Sequence, residues 1–410
     1  MTARTLAAVR VCRALLPAAV LMVLVAGSAL AGDWPAWRGP DRTGVSAEAD
    51  WRTDWDANPP AVLWKAELGK GFSTVSVADG HAYTMGNSGG VDHVWCMDAE
   101  TGKLVWQHRY RCQPHQYEGP RCTPTVDGDR VYTLSNRGHL FCLDAKTGKV
   151  VWFIETPGLV GSKPPQWGFA CSPLVLGNHL IVDVGPVVAL DKMTGKIAWK
   201  AGADPAGYGS PYAFDQGGKT LIASFNAHGP IIVEADGGAV VARERWKTAW
   251  DVNATTPIVS NGTIFYSSGY NTGAAVFKLA GNALQEVWRN KNMRNHANNC
   301  VLWKGYLYGF DGQVNEGPLT CLAYDTGEKR WSEPTIRAGG LMVAAGTIIG
   351  MSAKGECVLV TASPDACQIL GRKKLFEKKD TCWTQPVLAN GRIYCRSHKG
   401  DLACLDVRKN

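Results

Sequence analysis

The residues best able to do chemistry in this 410-residue chain lie in scattered polar and aromatic stretches, not in one compact motif. His296 stands among Arg294, Asn295, Asn298 and Asn299. An imidazole that titrates near neutrality can ligate a metal or act as a general base, or it can be a hydrogen-bonded structural residue. Asp251 and Glu118 are carboxylates that could pair as acid and base across a cleft, or remain solvated surface acids. Arg121, Arg294 and Arg337 carry the planar fork that grips an anion through two contacts, with solvated rim charge as the alternative. Trp167 and Trp383 offer flat faces for a ligand, or plugs for a channel. Lys70, Phe72, Tyr117, Gln166, Phe169, Tyr208, Trp250, Asn253 and Asp380 complete this set.

What must position them is a repeat. Trp64, Trp106, Trp152, Trp199, Trp246, Trp288 and Trp331 lie 42, 46, 47, 47, 42 and 43 residues apart, with Phe376 a further 45 on. Three of these tryptophans close an Asp-x-x-Thr-Gly-Lys-x-x-Trp phrase, at Asp98–Trp106, Asp144–Trp152 and Asp191–Trp199, and Ala323–Trp331 is a weaker copy. A period of 40 to 50 residues built on strands predicts propeller blades. The second repeat shows the pattern: Thr123–Val126, Arg130–Ser135, His139–Asp144 and Lys149–Trp152 alternate in period two between glycine-containing turns. The expected fold is therefore all-β, an eight-bladed propeller of four-stranded antiparallel blades. The chain ends on a third strand, Leu402–Asp406, and Val62–Lys65 reads as a fourth strand without its first three. The N-terminal strand is expected to complete the last blade, which leaves no open edge.

In that architecture the loop entering each innermost strand opens onto the central funnel. The expected ligand-binding set is Tyr117, Arg121, Trp167, Tyr208, Asn253, His296, Asn298, Arg337 and Trp383. The periodic tryptophans are expected to pack between blades, since such a ring buries about 150–250 Å². Residues 1–31 read as a secretory signal: Arg4, Arg10 and Arg13, then an apolar Ala14–Ala26, then Ala29-Leu30-Ala31 before Gly32. Residues 32–60, with Trp34, Trp37, Trp51 and Trp55, read as a capping segment, and residues 61–410 as the propeller. An apolar run this short falls below the ~20 residues of a spanning helix, so no stable membrane anchor is expected after cleavage. Cleavage would lower the net charge from +7 to +4, because the signal carries three arginines and no acid. That field is too weak to imply nucleic acid.

The 13 cysteines include Cys12 in the signal, and the even remainder permits disulfides in an exported chain. A two-residue turn at Lys399-Gly400 would place Cys395 opposite Cys404, and Cys112 and Cys122 share one connection. Buried free thiols are the competing reading. Neither Cys-x-x-Cys nor adjacent cysteines occur, and no metal site is expected.

The Asp-x-x-Thr-Gly-Lys-x-x-Trp turns resemble the tryptophan-docking repeats of the pyrroloquinoline quinone (PQQ) propeller superfamily, over nearly the whole chain after the signal. Asp33-Trp-Pro-Ala-Trp-Arg-Gly-Pro40, Met293–His296 and Cys382–Pro386 look like segments of secreted PQQ-like repeat proteins. The resemblance implies one of two functions. In a scaffold like the barrel-assembly lipoprotein BamB the propeller binds without catalysis; in a quinoprotein alcohol dehydrogenase it holds PQQ, calcium and an aspartate base. This chain lacks the adjacent cysteines typical of the enzymes and the lipidated cysteine of the lipoprotein. The expectation is an exported, periplasmic or extracellular, monomeric binding module for a protein partner or a sugar-, peptide- or quinone-sized ligand, with no cofactor assigned. A PQQ- and calcium-dependent dehydrogenase of alcohols or sugars is the alternative.

Overall fold

The computed structural model describes Met1 and residues 32–113, 116–314, 316–337, 339–377 and 381–409. The signal reading and Asp380 lie outside the described residues. Blades form because the repeated phrase specifies its own turn. Asp98 Oδ1 accepts hydrogen bonds from the Thr101 N–H and hydroxyl, both at 2.7 Å. Asp144 with Thr147 and Asp191 with Thr194 repeat the arrangement at 2.7–2.8 Å. The following glycine then takes a left-handed backbone, with φ of 68° at Gly102 and Gly148 and 72° at Gly195. The turn delivers the chain into the outermost strand, where the tryptophan sits.

The described residues form eight sheets arranged as a propeller. Seven consist of four antiparallel strands, and the seventh blade in chain order carries an added two-residue strand from the N-terminal segment, Val45–Ser46, running parallel to Leu341–Ala344. The eighth blade takes its outermost strand from Ala61–Glu67, which pairs with Asp401–Asp406. Closure is therefore made by the N-terminal strand, as expected from counting.

Each tryptophan ties its blade to the next. The Trp106 Nε1–H donates to the Ala145 carbonyl at 2.8 Å, Trp152 to Lys192 at 3.0 Å, Trp199 to Ala235 at 3.0 Å and Trp288 to Tyr324 at 2.8 Å. Trp64, on the closing strand, donates to Ala99 in the first blade and so joins the ends of the ring. The rings rest on the turn glycines: a Cβ on Gly102 would lie 2.5 Å from Trp64, and one on Gly148 2.5 Å from Trp106. Only a residue without a side chain admits the ring. The burial is uneven, however. Trp246 is 2% exposed, whereas Trp152, Trp288 and Trp331 are half-buried.

All cysteines among the described residues are free thiols. The Cys395–Cys404 pairing fails on register. Ser397–Gly400 forms a longer turn, in which the Ser397 N–H donates to Asp401 and that of Gly400 to Ser397. Cys395 consequently faces Ala403, and Cys404 faces Tyr394. A shift of one residue sends side chains to opposite faces. Cys112 and Cys122 are also apart in bonding: the Cys112 thiol donates to Asn136 Oδ1 at 3.2 Å, and Cys122 accepts from the Leu134 N–H at 3.3 Å.

The N-terminal segment does more than cap. Residues 33–48 run beneath the propeller and stitch the far ends of its inner strands. Trp34 exchanges backbone hydrogen bonds with Val77, Pro35 accepts from Val126, and Gly44 accepts from Val343. Glu48 accepts from the N–H groups of Asn390 and Gly391 at 2.6 and 2.9 Å. Trp51 and Trp55, each 2% exposed, join the core of the closing blades.

Candidate functional site

The opposite end of the channel is a blind cavity of about 220 Å³ whose floor is Trp37. The Trp37 ring is pinned by its Nε1–H donating to Thr256 Oγ1 at 2.9 Å. The small residues around the floor belong to a ring of interblade bonds. The Thr123 N–H donates to Ser172 Oγ at 3.0 Å, the Ser172 N–H to Ser210 Oγ at 2.9 Å, and the Thr256 N–H to Asn299 Oδ1 at 2.6 Å. Several inner strands start with a hydroxyl residue and proline, as in Cys171-Ser-Pro173 and Thr255-Thr-Pro257, because the hydroxyl or the N–H beside it reaches the neighbouring blade.

Aromatic rings make the walls. Phe72 is sandwiched between Trp383, at 5.2 Å and 18°, and His398, at 4.2 Å and 17°. Tyr117 approaches Trp383 at 6.3 Å, and Trp167 approaches Tyr208 at 5.9 Å. Tyr270 meets His296 edge-on at 4.7 Å. The Trp167 Nε1–H is buried without an acceptor. Arg121 supplies the wall's positive charge. Its Nη1 and Nη2 donate to Gly119 and Tyr117 carbonyls, both at 2.9 Å, its Cζ lies 5.5 Å from the Phe72 centroid, and burial lowers its pKa to about 10. It therefore stays charged at neutral pH. Among the described residues no aspartate or glutamate lines the cavity.

Of the residues expected from the sequence, Tyr117, Arg121, Trp167, Tyr208, His296 and Trp383 converge on this cavity. Phe72 and Asn299 from the sequence reading line it as well, whereas Asn253, Asn298, Arg337, Arg294, Glu118 and Asp251 do not. Asn253 is a buried brace, donating to the Asn226 carbonyl at 2.8 Å and accepting from Thr248 at 2.7 Å. Asn298 is buried two residues beyond His296, with Oδ1 unpartnered. Arg337 is exposed at the end of the strand Lys329–Arg337 and donates to Pro334 of that same strand. Arg294 is held by Asp311 at 2.8 Å. The two acids proposed as a catalytic pair are spent locally: Glu118 binds Lys70 at 2.6 Å, and Asp251 binds Lys247 at 2.7 Å. Tyr270, Val314 and Trp37 line the cavity but escaped the sequence reading. The first two sit in turns between second and third strands, and Trp37 arrives from outside the repeat.

His296 is not poised near neutrality. Burial lowers its pKa to about 4, and its Nδ1 accepts a 3.4 Å hydrogen bond from the Val314 N–H. His398 is lowered to about 4, by burial and then by Arg121 and Arg396. Both rings are neutral when folded and protonate near pH 6.5 when unfolded. Their contribution to stability is therefore complete above pH 6.5 and is lost as pH falls through 4. Discounted for partial exposure, each is worth on the order of 1–2 kcal/mol. Asp183 opposes them, because burial raises its carboxyl to about 6 and stability falls as pH rises through that value. A double His296→Gln, His398→Gln variant should thus have a shallower loss of urea midpoint between pH 6.5 and 4 than the parent; identical slopes would refute the assignment.

A closed β-propeller with a blind, aromatic funnel is the class these features define. A family model described as "Outer membrane protein assembly factor BamB" matches residues 93–333, more than half of the chain, and the protein belongs to that PQQ-like repeat family. Among solved structures, BamB from Moraxella catarrhalis superposes with a TM-score of 0.63 at 18% identity, covering 85% of this chain and 99% of that one. The quinohemoprotein alcohol dehydrogenase from Comamonas testosteroni gives 0.67 at 15% identity, over 94% and 82%. A second such enzyme, from Pseudomonas putida HK5, gives 0.62 at 14%, over 92% and 80%. At these identities the likeness establishes the fold. Comparison with curated proteins gives no match.

Proposed function

We propose that this protein is an exported, non-catalytic binding module that holds a ligand or partner segment in its funnel. One observation carries the reading: rings from several blades and one half-buried arginine converge on a blind cavity without a carboxylate among the described wall residues. Stacking faces with a few orienting polar groups are what a small-molecule or peptide site needs. Export rests on the N-terminal signal pattern, and no helix among the described residues is long and apolar enough to cross a membrane.

The dehydrogenase alternative asks for calcium donors and an aspartate base beside PQQ. The described wall offers no carboxylate for either role, no cluster of His, Cys, Asp and Glu suited to a metal occurs among the described residues, and His296 is held unprotonated by burial. The donor set does not fit that group, so no catalytic step is derived through it. The test is a thermal-shift panel of sugars, peptides and planar aromatics, run beside PQQ with calcium and a dye-reduction assay on alcohols and aldoses. A saturable ligand should lose at least about tenfold in affinity in Trp383→Ala, with the melting temperature nearly unchanged. PQQ-dependent dye reduction would transfer the protein to the enzymes.

A further inference from the structure

A second cavity, of about 490 Å³, opens on the opposite face beneath the N-terminal segment, and Arg38 and Arg42 line it. Three unfavourable features meet at these two residues. They are 1% and 4% exposed, yet no carboxylate among the described residues lies within ion-pairing distance of either guanidinium. Their partners are main-chain carbonyls: Arg38 donates to Arg42 at 3.0 Å and Thr43 at 2.6 Å, and Arg42 donates to Pro173 and Ser172, both at 2.9 Å. Arg38 Nη1 and Arg42 Nε have no acceptor at all. Finally, both residues take a left-handed backbone, with φ of 64° and 54°.

A segment selected only to close the channel would avoid each of these. Buried charge without a counter-charge is unfavourable, an unmet buried donor is rare, and a left-handed non-glycine residue is strained. Burial lowers both pKa values only to about 10, so both groups stay protonated at neutral pH. The remaining walls are largely apolar: Val45, Pro257, Ile258, Val259, Leu302 and Trp303, with Tyr212 nearby. Among the described residues Asp41 is the one acid on the lining, and it is exposed at the edge. Two buried cations against one solvated acid leave the mouth electropositive, and low-dielectric surroundings strengthen that field.

We propose that this mouth is a binding site for a carboxylate carried on a short apolar body, a chemistry shared by free aliphatic acids and by chain-terminal carboxylates. The probes are hexanoate, hexanol and hexylamine, followed by calorimetry and by tryptophan fluorescence, since Trp303 lines the site. Hexanoate should saturate and bind at least about tenfold more tightly than its neutral and cationic analogues. N-acetylisoleucine, compared with its amide, reports the chain-terminal source; tighter binding than hexanoate assigns that source, and weaker binding assigns the free acid. Ile258→Glu places a competing carboxylate on the wall and should abolish hexanoate binding, whereas Ile258→Gln should keep it. Equal binding of all three hexyl probes, or no saturation, would reduce the arginines to pins surrounded by water and overturn the proposal. Hexanoate binding unchanged in a folded Ile258→Glu would also overturn it, by moving the ligand to the funnel. The comparison of analogues needs no variant and stands even if Ile258→Glu does not fold.

Discussion

Replacing Trp106 by alanine is expected to lower the unfolding free energy by about 3–5 kcal/mol, the range for deleting a large core ring. Trp106 is 8% exposed and bonded to Ala145 of the next blade. Gly148→Ala should cost about 2–3 kcal/mol without removing any side chain, because a left-handed alanine costs about 1–2 kcal/mol and displacing the ring endangers a hydrogen bond worth about 1 kcal/mol. The new Cβ would stand 2.5 Å from the Trp106 ring. The two losses should not add. With the ring absent, only the backbone strain of Gly148→Ala remains, so the double variant should be more stable than the sum of the singles by about 1 kcal/mol. Urea unfolding of the three variants measures this, and strict additivity would show that ring and glycine act separately. Half-buried Trp152 should give a smaller loss on truncation than Trp246, which is 2% exposed.

The blades were legible because local chemistry determines them. Asp, Thr and Gly at fixed offsets make one turn geometry, and the tryptophan that follows must meet the next copy of that turn. Closure was legible by counting strands. The mouth of the funnel was largely legible too, since Tyr117, Trp167, His296 and Trp383 all precede inner strands. What failed depended on details that the repeat leaves free. Cys395 and Cys404 were misplaced because the turn at Ser397–Gly400 is longer than two residues. Asp251 and Glu118 looked catalytic as bare types, but lysines four residues before Asp251 and in the preceding connection neutralise them. Asn253 was expected to line the funnel because it precedes an inner strand, whereas its amide braces neighbouring connections from within.

Least legible of all was the path of residues 33–48. No local propensity indicates that an irregular Trp-Pro-Ala-Trp-Arg-Gly-Pro segment passes beneath a channel, because its partners lie as far away as Val343 and Asn390. That path has a functional consequence. Trp37 converts an open channel into a blind funnel, while Arg38 and Arg42, next along the chain, face the other mouth. One segment thus sets the depth of one cavity and the charge of the other, so insertions there should alter both faces together.

A chain beginning at Leu68 should therefore not fold cooperatively. It would lack the strand Ala61–Glu67, whose register runs from Ala61 opposite Asp406 to Glu67 opposite Asp401, and would leave Asp401–Asp406 as an open edge. Each lost ladder hydrogen bond is worth about 0.5–1.5 kcal/mol. Buried Trp34, Trp51, Trp55 and Trp64 would go as well, and a few such rings at about 3–5 kcal/mol each exceed the ~5–15 kcal/mol by which a domain is stable. Near-ultraviolet circular dichroism and size-exclusion chromatography should show lost tertiary signal and association through the free edge. A synthetic peptide spanning residues 33–67, added in trans, should restore a single cooperative transition, because the closing strand is joined to the ring by pairing and packing as well as by the chain. A truncated protein that melts cooperatively without the peptide would mean that the ring closes through the other blades alone.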